Sequence, residues 1–128
     1  MAHYILDKAY TITDANGVSA NRVVVQGANA GDANLPAAAN ADSLLGVTVH
    51  SQPNTGHCVA VRKAGIARVL AAGVISVGAA VNIDDEGRVK AIDEQQGTKV
   101  HCLGFAESAA TAEDDLIEVF IALHDRVA

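Results

Sequence analysis

The sequence predicts an all-β domain built as a small sandwich or barrel, and three observations carry that expectation. Short β-branched runs recur along the chain. Turn signals separate them every 8–12 residues or so, the spacing of a sandwich or barrel. No apolar pattern of period 3.6 is long enough for the crossover helix of a βαβ unit.

The elements follow in order. Residues 2–20 hold both tyrosines, Tyr4 and Tyr10, with Ile5, Leu6 and Ile12, and run into the turn sequence Asp14-Ala15-Asn16-Gly17. A segment this short has no core of its own, so it is either a first strand or an arm lying on something else. Residues 22–26, Arg-Val-Val-Val-Gln, read as a strand. Residues 27–42 are rich in Gly, Ala and Asn and read as a loop with one helical turn around Pro36–Ala41. Further strands are expected over Leu44–His50, Cys58–Lys63, Ile66–Leu70 and Val81–Ile83. Asp84-Asp85-Glu86-Gly87 turns the chain into a strand over Arg88–Ile92. The last two strands are Lys99–Ala106 and Leu116–Leu123, joined by an acidic loop.

Bulk composition bounds the function. One domain fits 128 residues. The hydrophobic half of the chain is dominated by 25 Ala and 16 Val, while aromatics are 3% and Trp is absent. A core of small side chains buries little area per residue, which makes self-association a natural supplement. The net charge of −6 argues against a nucleic-acid scaffold. Eleven of the fifteen acidic residues lie at or beyond Asp84. The first residues lack the basic-then-apolar order of a secretory signal, and no run reaches the roughly 18 apolar residues of a membrane helix. Two cysteines without such a signal are expected to stay reduced in a cytosol.

An internal echo links two hairpins. Leu45-Gly46-Val47 with Val59-Ala60-Val61, and Leu103-Gly104-Phe105 with Ile117-Glu118-Val119, align without a gap at an offset of 58 residues. They are expected to pack as pseudo-symmetric halves of one small barrel; the alternative is that any two hairpins with a glycine look alike.

The candidate chemical sites have simpler readings. His57-Cys58 and His101-Cys102 offer zinc-ligand types, but neighbours on a strand point to opposite faces, so each pair gives one ligand per side. Buried apolar cysteines are expected instead, with no metal, cofactor or catalytic residue. Asp84-Asp85-Glu86-Gly87 lacks the spacing of an EF-hand and reads as a solvated turn. Glu113-Asp114-Asp115 reads as an exposed acidic loop. Arg62, Lys63 and Arg68 form the densest basic cluster, suited to a polar strand face or an acidic partner.

The order Leu45-Gly46-Val47, Val59-Ala60-Val61, Gly65-Ile66-Ala67, Gly78-Ala79-Ala80-Val81, Asp85-Glu86-Gly87-Arg88, Leu103-Gly104-Phe105-Ala106 and Leu116-Ile117-Glu118-Val119 resembles the capsid cement or decoration proteins of tailed bacteriophages, over roughly residues 21–123. The resemblance implies a β-tulip or small-barrel domain at 21–128 on the outside of a phage head, made in the bacterial host cytoplasm. It implies the major capsid protein and further copies of the chain, usually as homotrimers, as partners, with no nucleic acid or membrane. It also implies an N-terminal arm, residues 1–20, reaching over neighbours. Tyr4, Ile5, Leu6, Tyr10 and Ile12 are then the expected capsid or inter-subunit contacts, since tyrosine brings large area and a polar hydroxyl at low entropy cost. The alternatives are a small β ligand-binding or enzyme accessory domain, which needs convergent polar groups in a pocket, and a phage tail or spike component.

Overall fold

The structure, a computed structural model, describes residues 5–128, and these contain no helix. Ten strands form in chain order: β1 (Leu6–Ile12), β2 (Val23–Gln26), β3 (Asp32–Asn34), β4 (Leu44–Thr48), β5 (Cys58–Ala64), β6 (Ile66–Leu70), β7 (Ala80–Ile83), β8 (Val89–Ala91), β9 (Lys99–Ala106) and β10 (Leu116–Val127). The first five close a barrel in the order β1-β3-β2-β4-β5, and the last five make a sheet in the order β6-β10-β9-β7-β8. All pairs are antiparallel except β1 with β3, whose parallel contact closes the barrel.

Strand composition explains which faces are buried. On β2 and β4 successive side chains go to two different cores: Val24 and Leu45 point into the barrel with Tyr10, Ile12, Ala33, Val59 and Val61. Val23 and Val47 point out of it, into a second core built on Val69, Val81, Ile83, Leu103, Ile117 and Val119. A strand buried on both faces needs a continuous apolar run, which is why Val23-Val24-Val25 lacks alternation. β10 is covered on one side only and alternates: Ile117, Val119 and Ile121 go inward while Leu116, Glu118 and Phe120 stay exposed.

The echo in the sequence is a repeat in three dimensions. Val47 lies opposite Arg62 and Thr48 opposite Val61; 58 residues on, Phe105 lies opposite Phe120 and Ala106 opposite Val119. The neighbouring strand follows suit, with Asp7, Tyr10 and Thr11 against Arg62, Val59 and Cys58 on β1–β5, and Ile66, Val69 and Leu70 against Phe120, Ile117 and Leu116 on β6–β10. Even the isolated bridges repeat, as Val18–Gln52 and Ile75–Ala110. Strand for strand, β6-β10-β9-β7-β8 is the counterpart of β1-β5-β4-β2-β3. The second unit is closed between its edges by only one parallel bridge, Ala71–Val89. The two hairpins are therefore not halves of one barrel; each belongs to its own five-stranded unit.

Unit one sits on unit two through its β2–β4 wall. There the Val23 N–H donates to the Gly87 carbonyl at 2.7 Å, the Leu70 N–H to the Asn21 carbonyl at 3.2 Å, and the Asn40 N–H to the Ile83 carbonyl at 3.0 Å.

Two further expectations are corrected. The expected arm over residues 1–20 gives way at Leu6–Ile12 to a barrel strand, because Tyr10 and Ile12 fill the barrel interior and the backbone pairs on both edges with β5 and β3. The expected loop with a helical turn at 27–42 instead holds the short strand Asp32-Ala33-Asn34, whose single inward residue is Ala33.

Candidate functional site: an exposed apolar wall on the second unit

The site is assembled by register. Residues opposite each other on paired strands share a face, so Ile66, Phe120 and Phe105 form one row across β6, β10 and β9. Their exposures are 42%, 45% and 36%. Phe105 and Phe120 are the chain's two phenylalanines, and both lie on the surface while the cores hold mainly Val, Ile, Leu and Ala, with Tyr10 as their aromatic member. A single exposed apolar side chain is ordinary; a row with two aromatics is the composition of a contact surface.

The row is banded by charge. On one side Glu118 stands opposite Arg68, and the Glu107 N–H donates to the Glu118 carbonyl at 2.8 Å. On the other, the His124 ring stacks on Phe105 with centroids 5.2 Å apart and planes 11° apart. The Arg126 guanidinium lies 5.9 Å from the same ring and donates through Nε to His124 Nε2 at 3.2 Å. Phe105 is thus exposed but held in place from one side.

A cleft of about 370 Å³ opens beside this wall, between the units, lined by Asn21, Val47, Thr48, Arg62, Arg68 and Glu118. The basic cluster expected from sequence is divided here. Arg62 is clamped by both oxygens of Asp7, at 3.0 and 3.3 Å, and donates to the Ile66 carbonyl. Lys63 turns away and donates to the Tyr10 hydroxyl at 2.5 Å.

The other candidates are accounted for by local structure. Cys58 is exposed on β5 and Cys102 is buried on β9, so the two His-Cys pairs lie in different units. Burial pushes the Cys102 thiol up, away from the nucleophilic thiolate. The His101 imidazole lies 2.8 Å from Asp125 and holds that carboxyl below the usual range. Among the described residues no group of three or more His, Cys, Asp and Glu converges as metal ligands. The Asp84 carboxylate accepts from the Glu86 and Arg88 N–H groups and from Arg88 Nε. Arg88 continues to Glu113 at 2.7 Å and Asp114 at 3.0 Å, tying the β7–β8 turn to the β9–β10 loop. The hydrogen bond to Glu113 raises its pKa most, against the opposing effect of burial.

Of the contact residues expected from sequence, Tyr4 lies outside the described residues. Ile5, just before β1, and Leu6, its first residue, are exposed, whereas Tyr10 and Ile12 are buried in the barrel. Sequence reasoning missed Ile66, Phe105 and Phe120. The available signal was in Leu116–Leu123, where apolar residues occupy both faces of an alternating strand.

Comparison with known proteins places this architecture. The phage cement protein family matches residues 7–121. The fold is similar to the crystal structure of the head fiber gp8.5 N base in bacteriophage phi29, with a TM-score of 0.64 and 20% identity over 93% of this chain and 95% of that one. No curated protein matches the chain. The matched span takes in both units, the apolar wall and the cleft between them, and the chain belongs to the phage cement protein family, as a structural protein of a phage.

Proposed function

We propose that the chain is a capsid cement protein that binds the outer surface of a phage head and stabilises the shell across capsomer boundaries. Its partners in this reading are the major capsid protein and further copies of itself, as homotrimers, and it uses no cofactor. The observation that carries the reading is the family match across both units. The exposed aromatic wall supports it, because a structural protein that turns nothing over needs contact area rather than a pocket. The likeness to a head fiber base favours attachment to a head over a place in a tail.

The mechanism is mass action with avidity. Each copy that binds the closed shell more tightly than the open one shifts the equilibrium toward closure, and many copies multiply the effect. The test adds purified chain to heads stripped of it. Co-sedimentation at fixed stoichiometry, with a higher temperature of head opening, is expected. Folded chain that fails to sediment with heads overturns the reading.

A further inference from the structure

Among the described residues two polar side chains are fully buried, Thr48 and Asn82. The Thr48 hydroxyl is satisfied, donating to the Ser19 carbonyl at 2.8 Å. Asn82 is satisfied on one side only: Nδ2 donates to Glu94, while the carbonyl oxygen Oδ1 is buried without a donor. An orphaned buried acceptor costs stability, and the repeat shows that the fold does not call for it. Asn82 and its cross-strand partner Lys90 on β7–β8 correspond to Val25 and Asn34 on β2–β3, so the first unit has a valine where the second buries an amide. The surroundings of Asn82 supply a reason. Residues opposite each other on paired strands share a face. Lys90 Nζ and Asn82 Nδ2 thereby reach the same oxygen, Oε1 of Glu94, at 3.0 and 2.7 Å. The Lys90 and Glu94 side chains are only 18% and 12% exposed. A primary amine, a carboxamide and a carboxylate between them, held together and sheltered from water, are the two reactants and the proton carrier of an amide exchange.

We propose that Lys90 and Asn82 join through an intramolecular isopeptide bond, from Lys90 Nζ to Asn82 Cγ, with Glu94 carrying the protons. Glu94 takes one proton from the Lys90 ammonium, and its new O–H donates to Oδ1 once the amide turns over, which gives the orphaned oxygen its donor and polarises the carbonyl. The freed Nζ lone pair forms the bond to Cγ while the carbonyl π pair moves onto Oδ1. Glu94 passes its proton to Nδ2 and takes a second one from Nζ. The Oδ1 pair then re-forms the carbonyl, the Cγ–Nδ2 bond breaks, and ammonia leaves with that bond's pair and takes the proton from Glu94. The sum is ammonium and amide going to amide and ammonium, with Glu94 returned as a carboxylate and nothing oxidised or reduced. At rest the pair is ionic. Burial lowers the Lys90 pKa and raises that of Glu94, but hydrogen bonds outweigh it, from Asp93 and Glu94 on Lys90 and from Lys90 and Asn82 on Glu94. The first proton transfer is therefore uphill, and the bond forms slowly in the folded chain. Asp93 restrains it further by holding Nζ at 2.6 Å from the solvent side. The product staples β8, an edge strand otherwise held by its three pairs with β7 and the single bridge Ala71–Val89.

The experiment follows the intact mass of the purified full chain during prolonged incubation at neutral pH. The wild type is expected to lose one ammonia per chain. Trypsin is then expected to spare the bond after Lys90 and to leave the peptide 69–88 joined to the peptide 89–99. Asp93→Ala frees Nζ from a competing charge-assisted hydrogen bond and is expected to speed the loss about tenfold. Lys90→Arg keeps the charge without the amine, and Glu94→Gln removes the proton carrier, so both are expected to keep their full mass; circular dichroism checks that they fold. Where a variant fails to fold, the wild-type digest decides alone. Wild-type and Asp93→Ala chains that both keep their full mass overturn the proposal. So does a digest in which the two peptides come apart, or a folded Glu94→Gln chain that cross-links as fast as the wild type. An ammonia loss that persists in folded Lys90→Arg overturns it as well, because that loss belongs to a backbone imide such as one at Asn16-Gly17. None of these outcomes bears on head binding, which stands or falls by its own test.

Discussion

Asn82 is fully buried on β7, and its side-chain amide donates to Glu94 at 2.7 Å while Lys90 donates to the same carboxylate at 3.0 Å. Burial alone pushes the Glu94 carboxyl up, but the hydrogen bonds from Lys90 and Asn82 outweigh it and leave the group below the ordinary glutamate range. A depressed folded pKa means the folded state favours the carboxylate. Its stabilisation is present above the unfolded glutamate pKa and is lost as pH falls through the lower folded value. Glu94→Gln is expected to cost about 1–3 kcal/mol at pH 7 and to flatten the loss of stability on acidification below about pH 4. Urea unfolding at a series of pH values measures both; acid limbs of equal slope in the two proteins would rule the assignment out. At this scale the sequence was partly legible. Leu-Gly-apolar marked Gly46 and Gly104, where an added Cβ would meet the Arg62 and Phe120 carbonyl oxygens at 2.0 and 1.9 Å. Tyr10 was misread because its residue type suits an interface, whereas its alternation with Ala9 and Thr11 already put it on one face with Ile12. The role of Phe120 was hidden because one strand does not reveal whether its second face is covered.

Strands were legible where both register and burial leave a trace in residue type. Lys99–Ala106 and Ile66–Leu70 are read with the observed limits, because each is bounded by turn or loop residues and carries an inward apolar set. Asp32-Ala33-Asn34 was not legible: three residues with one small inward side chain have no periodicity to detect, and the strand exists because β1 and β2 flank it. β1 is the element on which the expected arm and the observed barrel differ in consequence. As an arm, residues 2–12 would be removable without loss of the domain. As a strand, β1 pairs along β5 from Leu6 to Thr11 and supplies Tyr10 and Ile12 to the barrel core. Deleting residues 2–12 is therefore expected to open the barrel and unfold unit one, and Ile12→Ala alone to cost about 2–5 kcal/mol. Leu6→Ser, at an exposed position, is expected to fall within about 0.5 kcal/mol of wild type. Circular dichroism of the truncated chain and urea titration of the point variants read these out; a truncated chain that keeps its β spectrum and cooperative melt would restore the arm.

The molecule as a whole is two similar units, and the outer wall of the first is part of the core of the second. Unit one has its own barrel interior, but Val23 and Val47 on its outer wall are members of the core of unit two. Unit two is the dependent partner, since its edges meet at a single bridge and the wall of unit one covers its inner apolar residues. Sharing a core makes unfolding one event, because losing unit one exposes the inward face of unit two to water. Val47→Ala is expected to cost about 2 kcal/mol, by lost burial and the cavity left behind, and to lower the stability of both units equally. Amide hydrogen exchange separates this from independent units: the slowest amides of β5 and those of β9 should share one opening free energy in the wild type and fall together in the variant. The same reasoning applies to the pieces. Residues 66–128 expressed alone are expected to lack a cooperative transition, having lost the wall that seals their core. If that fragment folds cooperatively, or if β9 keeps its protection when Val47 is truncated, the two units are independent domains that merely touch. The repeat would then be two barrels in a row rather than one structure built by laying the second unit on the wall of the first.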